Sequence, residues 1–320
     1  MKRRSASLLV VAIIGMSVVA FGWQQSKEPA KSDSEEDYVI HTTSRLVLLD
    51  VSVTDPHGGF VTNLTKDNFK VYEDGKPQVI SEFANADIPV TAGLVVDESG
   101  SMRPKRYEVL MAAIAFIKAS NPEDEMFVVN FNERARRGLP DTIPFSDNIV
   151  RLREALWSGT PEGRTALYDA IELALRQIEL GRRDTKTLVV ISDGGDNVSQ
   201  HKLPEVMHDV LESLTTIYTI GIFDEDDPEK NPGVLEKLAR LSGGSAYFPK
   251  QIDKVLAICQ QIAKDIRTRY TIGYIPDASG KTERHIKVVA TSPDKSKLIV
   301  RTRTSYQFPS AGSLTAKEKP

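Results

Sequence analysis

Four short apolar runs constrain this chain most: Ala92-Gly93-Leu94-Val95-Val96, Met126-Phe127-Val128-Val129, Leu188-Val189-Val190-Ile191 and Ile217-Tyr218-Thr219-Ile220-Gly221-Ile222. Helical periods separate them. Short buried runs alternating with amphipathic helices are the pattern of a parallel sheet covered on both faces. Tyr107, Leu110, Met111, Ile114 and Ile117 mark one helix, and Leu167, Ile171, Ala174, Leu175 and Ile178 mark another at the same spacing. Further helices fit 203–214, 233–241 and 252–267, with Ile252, Val255, Leu256, Ile262 and Ile266 of the last facing the sheet. A short edge strand is expected near Ala246-Tyr247-Phe248, and Cys259 reads as a buried thiol.

On either side the pattern turns antiparallel. Leu49, Val51 and Val53 alternate with Asp50 and Ser52 before the turn Asp55-Pro56-His57-Gly58-Gly59, and a second strand pair flanks Glu73-Asp74-Gly75-Lys76. After the last helix, Tyr270-Thr271-Ile272-Gly273-Tyr274, His285-Ile286-Lys287-Val288-Val289 and Leu298-Ile299-Val300-Arg301 alternate in the same way. An isolated two-stranded hairpin is marginal in water, so segments 38–89 and 268–308 are expected to share a sheet or sandwich. The fold class is therefore α/β: a doubly wound, mostly parallel sheet over 90–267, flanked by a smaller antiparallel β domain built from N- and C-terminal strands.

Lys2, Arg3 and Arg4 precede an uncharged apolar run from Leu8 to Phe21, then polar Gln24, Gln25 and Ser26. That layout marks 1–23 as a signal peptide or an uncleaved anchor and places the remainder outside the cytoplasm. An anchor there would be the chain's sole link to a membrane. Segments 24–37 and 309–320 hold too few large apolar groups to offset ordering entropy, so they read as a flexible leader and a disordered tail. A formal net charge of -3 over 320 residues, without a clustered basic face, points away from nucleic acid. The lone cysteine leaves stability to packing.

The first parallel strand ends in Val96-Asp97-Glu98-Ser99-Gly100-Ser101, which puts a carboxylate at the strand end and two hydroxyls on the turn that leaves it. Ligand sites of open parallel sheets lie beyond the carboxyl ends of the strands, where strand order reverses. With the order 3-2-1-4-5-6, Asp193 in Ile191-Ser192-Asp193-Gly194-Gly195 faces the same crevice as Asp97, and Thr165 opens the helix before the fourth strand within reach of it. Two carboxylates and three hydroxyls with no His or Cys nearby in sequence form a hard-oxygen set suited to Mg²⁺, with Mn²⁺ and Ca²⁺ as alternatives. Glu98 and Asp196, beside these positions, read as solvated rim charges, and Arg134, Arg136 and Arg137 as an exposed hairpin face.

Asp97-x-Ser99-x-Ser101 with Thr165 and Asp193, in this element order, resembles the metal-ion-dependent adhesion site of von Willebrand factor A domains. The similarity spans roughly 88–268. The flanking strings Asn63-Leu64-Thr65-Lys66-Asp67-Asn68-Phe69, Tyr72-Glu73-Asp74-Gly75 and Tyr270-Thr271-Ile272-Gly273-Tyr274 also resemble a bacterial group of exported von Willebrand factor A-related proteins. The resemblance implies direct coordination by Ser99 and Ser101, by Thr165 in a ligand-engaged state, and by the two aspartates directly or through water. It implies a non-enzymatic adhesion or assembly module whose metal bridges to an exposed Asp or Glu of a protein partner. Two other readings remain at this point: a Mg²⁺-dependent hydrolase or phosphoryl-transfer enzyme, and an envelope scaffold subunit with a structural metal. The enzyme reading lacks a phosphate-cradling Gly-rich loop with Lys and a Gly-x-Ser-x-Gly elbow.

Overall fold

The computed structural model describes residues 46–223, 228–277 and 281–308. The expected signal or anchor (1–23), leader (24–37) and tail (309–320) lie outside the described residues, as does 38–45. Among the described residues, no helix is long and apolar enough to cross a membrane.

The first strands are β1 (Val47–Thr54), β2 (Phe69–Glu73), β3 (Lys76–Gln78) and β4 (Ile80–Ala84). The α/β region follows: β5 (Thr91–Asp97), α1 (Arg106–Ala119), β6 (Glu125–Phe131), β7 (Ala135–Arg137), α2 (Ile149–Trp157), α3 (Leu167–Ile178), β8 (Lys186–Ser192), α4 (Leu203–Ser213), β9 (Thr216–Gly221), α5 (Pro232–Ser242), β10 (Ala246–Tyr247) and α6 (Lys254–Arg267). The last strands are β11 (Tyr270–Tyr274), β12 (Glu283–Ala290), β13 (Ile299–Arg301) and β14 (Ser305–Gln307).

The central sheet has the order β10-β9-β8-β5-β6-β7, all parallel except β7. This is the expected 3-2-1-4-5-6 arrangement. From β5 through α1 to β6 the chain steps one way across the sheet; from β6 to β8, β9 and β10 it steps the other. Right-handed crossovers then place α1 on one face and α3, α4 and α5 on the other. Accordingly α6 packs on α1, α3 on α4, and α4 on α5. Every residue of β5 is buried, which is why its sequence shows no polar alternation.

Close packing over β5 depends on one missing side chain. A Cβ on Gly93 would lie 2.4 Å from Phe127 and 2.5 Å from Leu188. Gly93→Ala is therefore expected to cost roughly 1–3 kcal/mol through overpacking, read from the denaturant midpoint. An unchanged midpoint would mean that the two side chains move aside freely.

The helical stripes need two corrections. Tyr107 and Met111 are exposed, and the buried face of α1 runs through Val109, Leu110, Ala112, Ala113, Phe116 and Ile117. Leu110, Ile114 and Ile117 of the expected stripe are buried, and the small Ala112 and Ala113 extend the inward face beside them. In α6, Leu256 is 42% exposed, while Val255, Cys259, Ile262, Ala263 and Ile266 are buried.

The flanking strands form two four-stranded sheets, β13-β1-β11-β4 and β14-β12-β2-β3. Each mixes strands from before and after the α/β region, through the antiparallel pairs β1 with β11 and β2 with β12. The β2–β3 hairpin turns at Asp74 and Gly75, both with positive φ (48° and 79°), as a two-residue loop between twisted strands requires. One hydrophobic cluster, including Leu49, Val51, Phe69, Val71, Tyr270, Ile272, Ile286 and Val288, draws on both sheets. Within it Glu73 accepts hydrogen bonds from the Tyr274 and Tyr306 hydroxyls at 2.6 and 2.7 Å and pairs with Arg284 at 2.8 Å.

A polar junction joins this domain to the α/β region. Asp265 of α6, almost fully buried, accepts from Ser52 of β1 at 2.6 Å, from the Tyr218 hydroxyl of β9, and from Arg301 of β13. Arg269 bonds the same Tyr218 hydroxyl and pairs with Asp50 of β1 at 3.2 Å.

Candidate metal centre

Because β5 and β8 are parallel neighbours with Val96 opposite Ile191, their carboxyl ends finish side by side. Asp97 closes β5, and Asp193 directly follows β8. The Ser99 backbone N–H donates to Asp97 Oδ1 at 2.8 Å, folding the turn back over the strand end. Ser192 Oγ donates to Asp97 Oδ2 at 2.7 Å, and the Gly195 N–H donates to Asp193 Oδ1 at 2.9 Å. Ser101 Oγ donates to Asp193 Oδ2 at 2.7 Å and lies 3.0 Å from Ser99 Oγ. One continuous chain of contacts thus runs from Asp97 to Asp193 through the turn.

Thr165 lies on the segment before α3, which backbone hydrogen bonds draw against the same turn. The Gly100 N–H donates to Gly163 O at 3.1 Å, and the Glu162 N–H to Glu98 O at 2.9 Å. Thr165 is buried, with its N–H donating to Asn197 Oδ1 and its carbonyl accepting from the Asn197 N–H, both at 3.0 Å. These bonds bring segments 97–101, 162–166 and 192–197 together. Sequence reasoning does not single out Ser192 or Asn197 as site residues. Both stand within four residues of Asp193 in the same turn, and such hydroxyl and amide groups commonly brace strand-end turns.

Asp97 and Asp193 are each 3% exposed. Among the described residues, no lysine or arginine forms an ion pair with either. Burial, and then the Asp193 charge, push the Asp97 carboxyl up to about 7. Two buried carboxylates side by side, ringed by hydroxyls and without a cationic side chain, are a donor set that fits a hard divalent cation.

The rim differs from the sequence expectation. Glu98 is buried, not solvated: it pairs with Arg136 of β7 and lies 3.6 Å from Arg106. Burial still lifts its carboxyl above the ordinary range against the pull of those two arginines. The basic run on the β6–β7 hairpin therefore has an inward partner. Asp196 accepts the Tyr168 N–H at 3.2 Å in the first turn of α3, where a carboxylate complements the helix dipole.

The sequence profile of the von Willebrand factor type A domain matches residues 93–195, which hold most of β5, all of β8 and the two strand-end aspartates. The chain contains a von Willebrand factor type A domain. A von Willebrand factor type A structure from Catenulispora acidiphila superposes with a TM-score of 0.52 over 85% of this chain and 76% of that one, at 14% identity, which shows a shared fold. BatB from Bacteroides thetaiotaomicron matches at TM-score 0.42 and 18% identity over 55% of this chain and 98% of its own. The von Willebrand factor domain of the type V pili tip protein Mfa5 from Porphyromonas gingivalis matches at TM-score 0.46 and 13% identity, over 56% and 95%. No curated protein matches the chain by sequence. Von Willebrand factor type A domains commonly hold a divalent metal at this strand-end position and commonly serve as protein-binding modules.

Proposed function

We propose that the chain is a protein-binding module, working outside the cytoplasm, that holds Mg²⁺ through Asp97, Ser99, Ser101, Thr165 and Asp193 and bridges it to a carboxylate on a protein partner. The observation that carries this reading is the pair of buried aspartates linked through Ser101 without a neighbouring cation. Three of the five proposed ligands are neutral hydroxyls, and the two carboxylates no more than balance the ion's charge, so an open coordination position on the ion still attracts an anionic oxygen. An exposed Asp or Glu is the side chain that best complements it. The extracytoplasmic placement rests on the basic and apolar order of residues 2–21.

The hydrolase alternative needs a nucleophile and a base in contact. The histidine closest in sequence to Asp193, His201, instead meets Asp169 through Nδ1 at 2.7 Å, and its backbone N–H donates to the same carboxylate. This arrangement anchors a loop on the start of α3 and supports the non-enzymatic reading.

The test is retention of an envelope protein on the immobilised chain in Mg²⁺, its release by chelator, and its loss on Asp97→Asn. Retention that ignores both chelator and substitution would overturn the proposal. The metal should also show a defined pH signature. Asp97 titrates higher in the folded chain than the ordinary 3.8 of an unfolded one, so its ionisation progressively removes stability from the metal-free protein as pH rises from about 4 to 7. Mg²⁺ needs the ionised carboxylate. Its stabilisation, measured as the melting-temperature difference between Mg²⁺ and chelator, is expected to be larger near pH 8 than near pH 5.5. A difference independent of pH would count against Asp97 as a ligand.

A further inference from the structure

We propose an oxyanion-binding site, for a small molecule that carries a phosphate or carboxylate on an apolar body, in the groove between the α/β region and the β domain, built around Arg303. It shares no residue with the strand-end centre and goes beyond the function proposed above. The groove encloses about 490 Å³, within the usual range of small-molecule sites. It is lined by α5 and β10 of the α/β region and by β12, β13 and segment 302–304 of the β domain. Its cationic side chains are Arg240, Lys287, Arg301 and Arg303, and among the described lining residues Glu236 alone is acidic. Phe248, Ile286 and Val300 supply apolar surface beside them.

Three consecutive lining residues carry orphaned donors. Arg301 Nε, Thr302 Oγ1 and both Nη atoms of Arg303 are buried without a hydrogen-bond partner. Arg303 is only 4% exposed. The acids close by are already engaged: Asp265 pairs with Arg301, and Asp50 pairs with Arg269 at 3.2 Å and accepts from Thr216 Oγ1 at 3.2 Å. The Asp50 charge acts on Arg303, but no hydrogen bond from it satisfies the Nη atoms. Three arginines thus share two aspartates, and one positive charge is left over. Burial pulls the Arg303 guanidinium down to about 10 against the pull of Asp50, and it stays cationic at neutral pH. A guanidinium only donates, so the missing partner is an acceptor, and a negative one offsets the buried charge as water cannot.

The backbone that carries these donors is held in place. A Cβ on Gly243, which caps α5 with positive φ, would lie 2.3 Å from Arg303 N, and the Ile286 N–H donates to Thr304 O at 2.8 Å. Only side chains need turn to bring the orphaned donors to a ligand in the groove, where the exposed Arg240 and Lys287 complete the cationic surround. The planar guanidinium fork matches the paired oxygens of a carboxylate or phosphate. A ring or short chain on the same ligand would cover Phe248 and Val300.

The test is phenyl phosphate titrated calorimetrically into the full-length chain in chelator, so that no metal bridges the anion, with benzoate and inorganic phosphate as parallel arms. One molecule should bind, the tighter of phenyl phosphate and benzoate identifying the head group, and inorganic phosphate should bind more weakly than phenyl phosphate. Arg303→Met should weaken binding at least ~10-fold, the loss expected when charge-assisted hydrogen bonds go, and so should Arg240→Ser combined with Lys287→Ser. Asp97→Asn should leave the affinity unchanged, which separates this site from the strand-end centre. Circular dichroism verifies the fold of each variant; should Arg303→Met not fold, the exposed pair decides. Absence of binding by both phenyl phosphate and benzoate would overturn the proposal, as would an affinity that the arginine and lysine substitutions leave unmoved.

Discussion

Asp97→Asn is expected to raise the melting temperature of the metal-free chain and to abolish its response to Mg²⁺. The two effects have one cause. In the absence of metal, Asp97 and Asp193 are buried charges of like sign, and burial with the Asp193 charge already lifts the Asp97 carboxyl to about 7. The amide removes one charge and keeps the geometry, because its oxygen still accepts the Ser99 N–H and its NH₂ group can donate to Ser192 Oγ. It cannot serve as an anionic ligand. At about 100 times the dissociation constant, a ligand that binds only the folded state contributes roughly 2.7 kcal/mol, so the wild type should show a shift of several degrees that the variant lacks. If the variant kept the full Mg²⁺ shift, the strand-end centre would be ruled out; if Mg²⁺ shifted neither protein, the aspartates would be a structural pair sharing a proton.

Asp265→Ala should produce the largest loss of stability of any single substitution at the domain junction. Asp265 receives hydrogen bonds from Ser52, Tyr218 and Arg301, which belong to β1, β9 and β13, and it sits on α6. Removing it leaves the partly buried Arg301 without its carboxylate and weakens the setting of Arg269, which shares Tyr218. Breaking one side of a buried ion pair typically costs about 3–5 kcal/mol, because the remaining charge stays desolvated. A urea titration would measure it, and a loss below ~1 kcal/mol would show that water replaces the carboxylate without penalty. The same bonds fasten α6 to two strands of the β domain. Any displacement of α6 on ligand binding must therefore break them, and hydrogen exchange on α6 with and without ligand would detect it.

The central sheet was legible because strands covered on both faces must be apolar on both faces, and Leu94, Val95, Val128, Val189 and Ile220 satisfy that demand without reference to distant partners. The candidate site was legible for a related reason. Parallel strands end on one edge of a sheet, so Asp97 and Asp193 share that edge once the strand order is known. Local pattern says less where an element is short or its environment is distant. Helix α2 has nine residues and declares itself chiefly through Asn148, whose side chain accepts the Val150 and Arg151 N–H groups. Strand β14 is three residues long and polar at two of them. Glu98 resembled a surface charge because the arginines that bury with it are supplied by α1 and by a hairpin 38 residues further on.

The alternation of early and late strands in the β domain dictates an order of events during synthesis. Of the strands that precede the α/β region, β2 and β3 alone are neighbours; β1 and β4 are separated by β11, and both remain unpaired until residues 270–274 exist. A ribosome working from the amino end therefore releases the apolar alternation of β1 long before its complement. The α/β region can close in the meantime, with its strands and helices contiguous along the chain. The β domain is a clasp that fastens last, and until then the exposed edge of β1 is the segment most in need of protection from neighbouring chains.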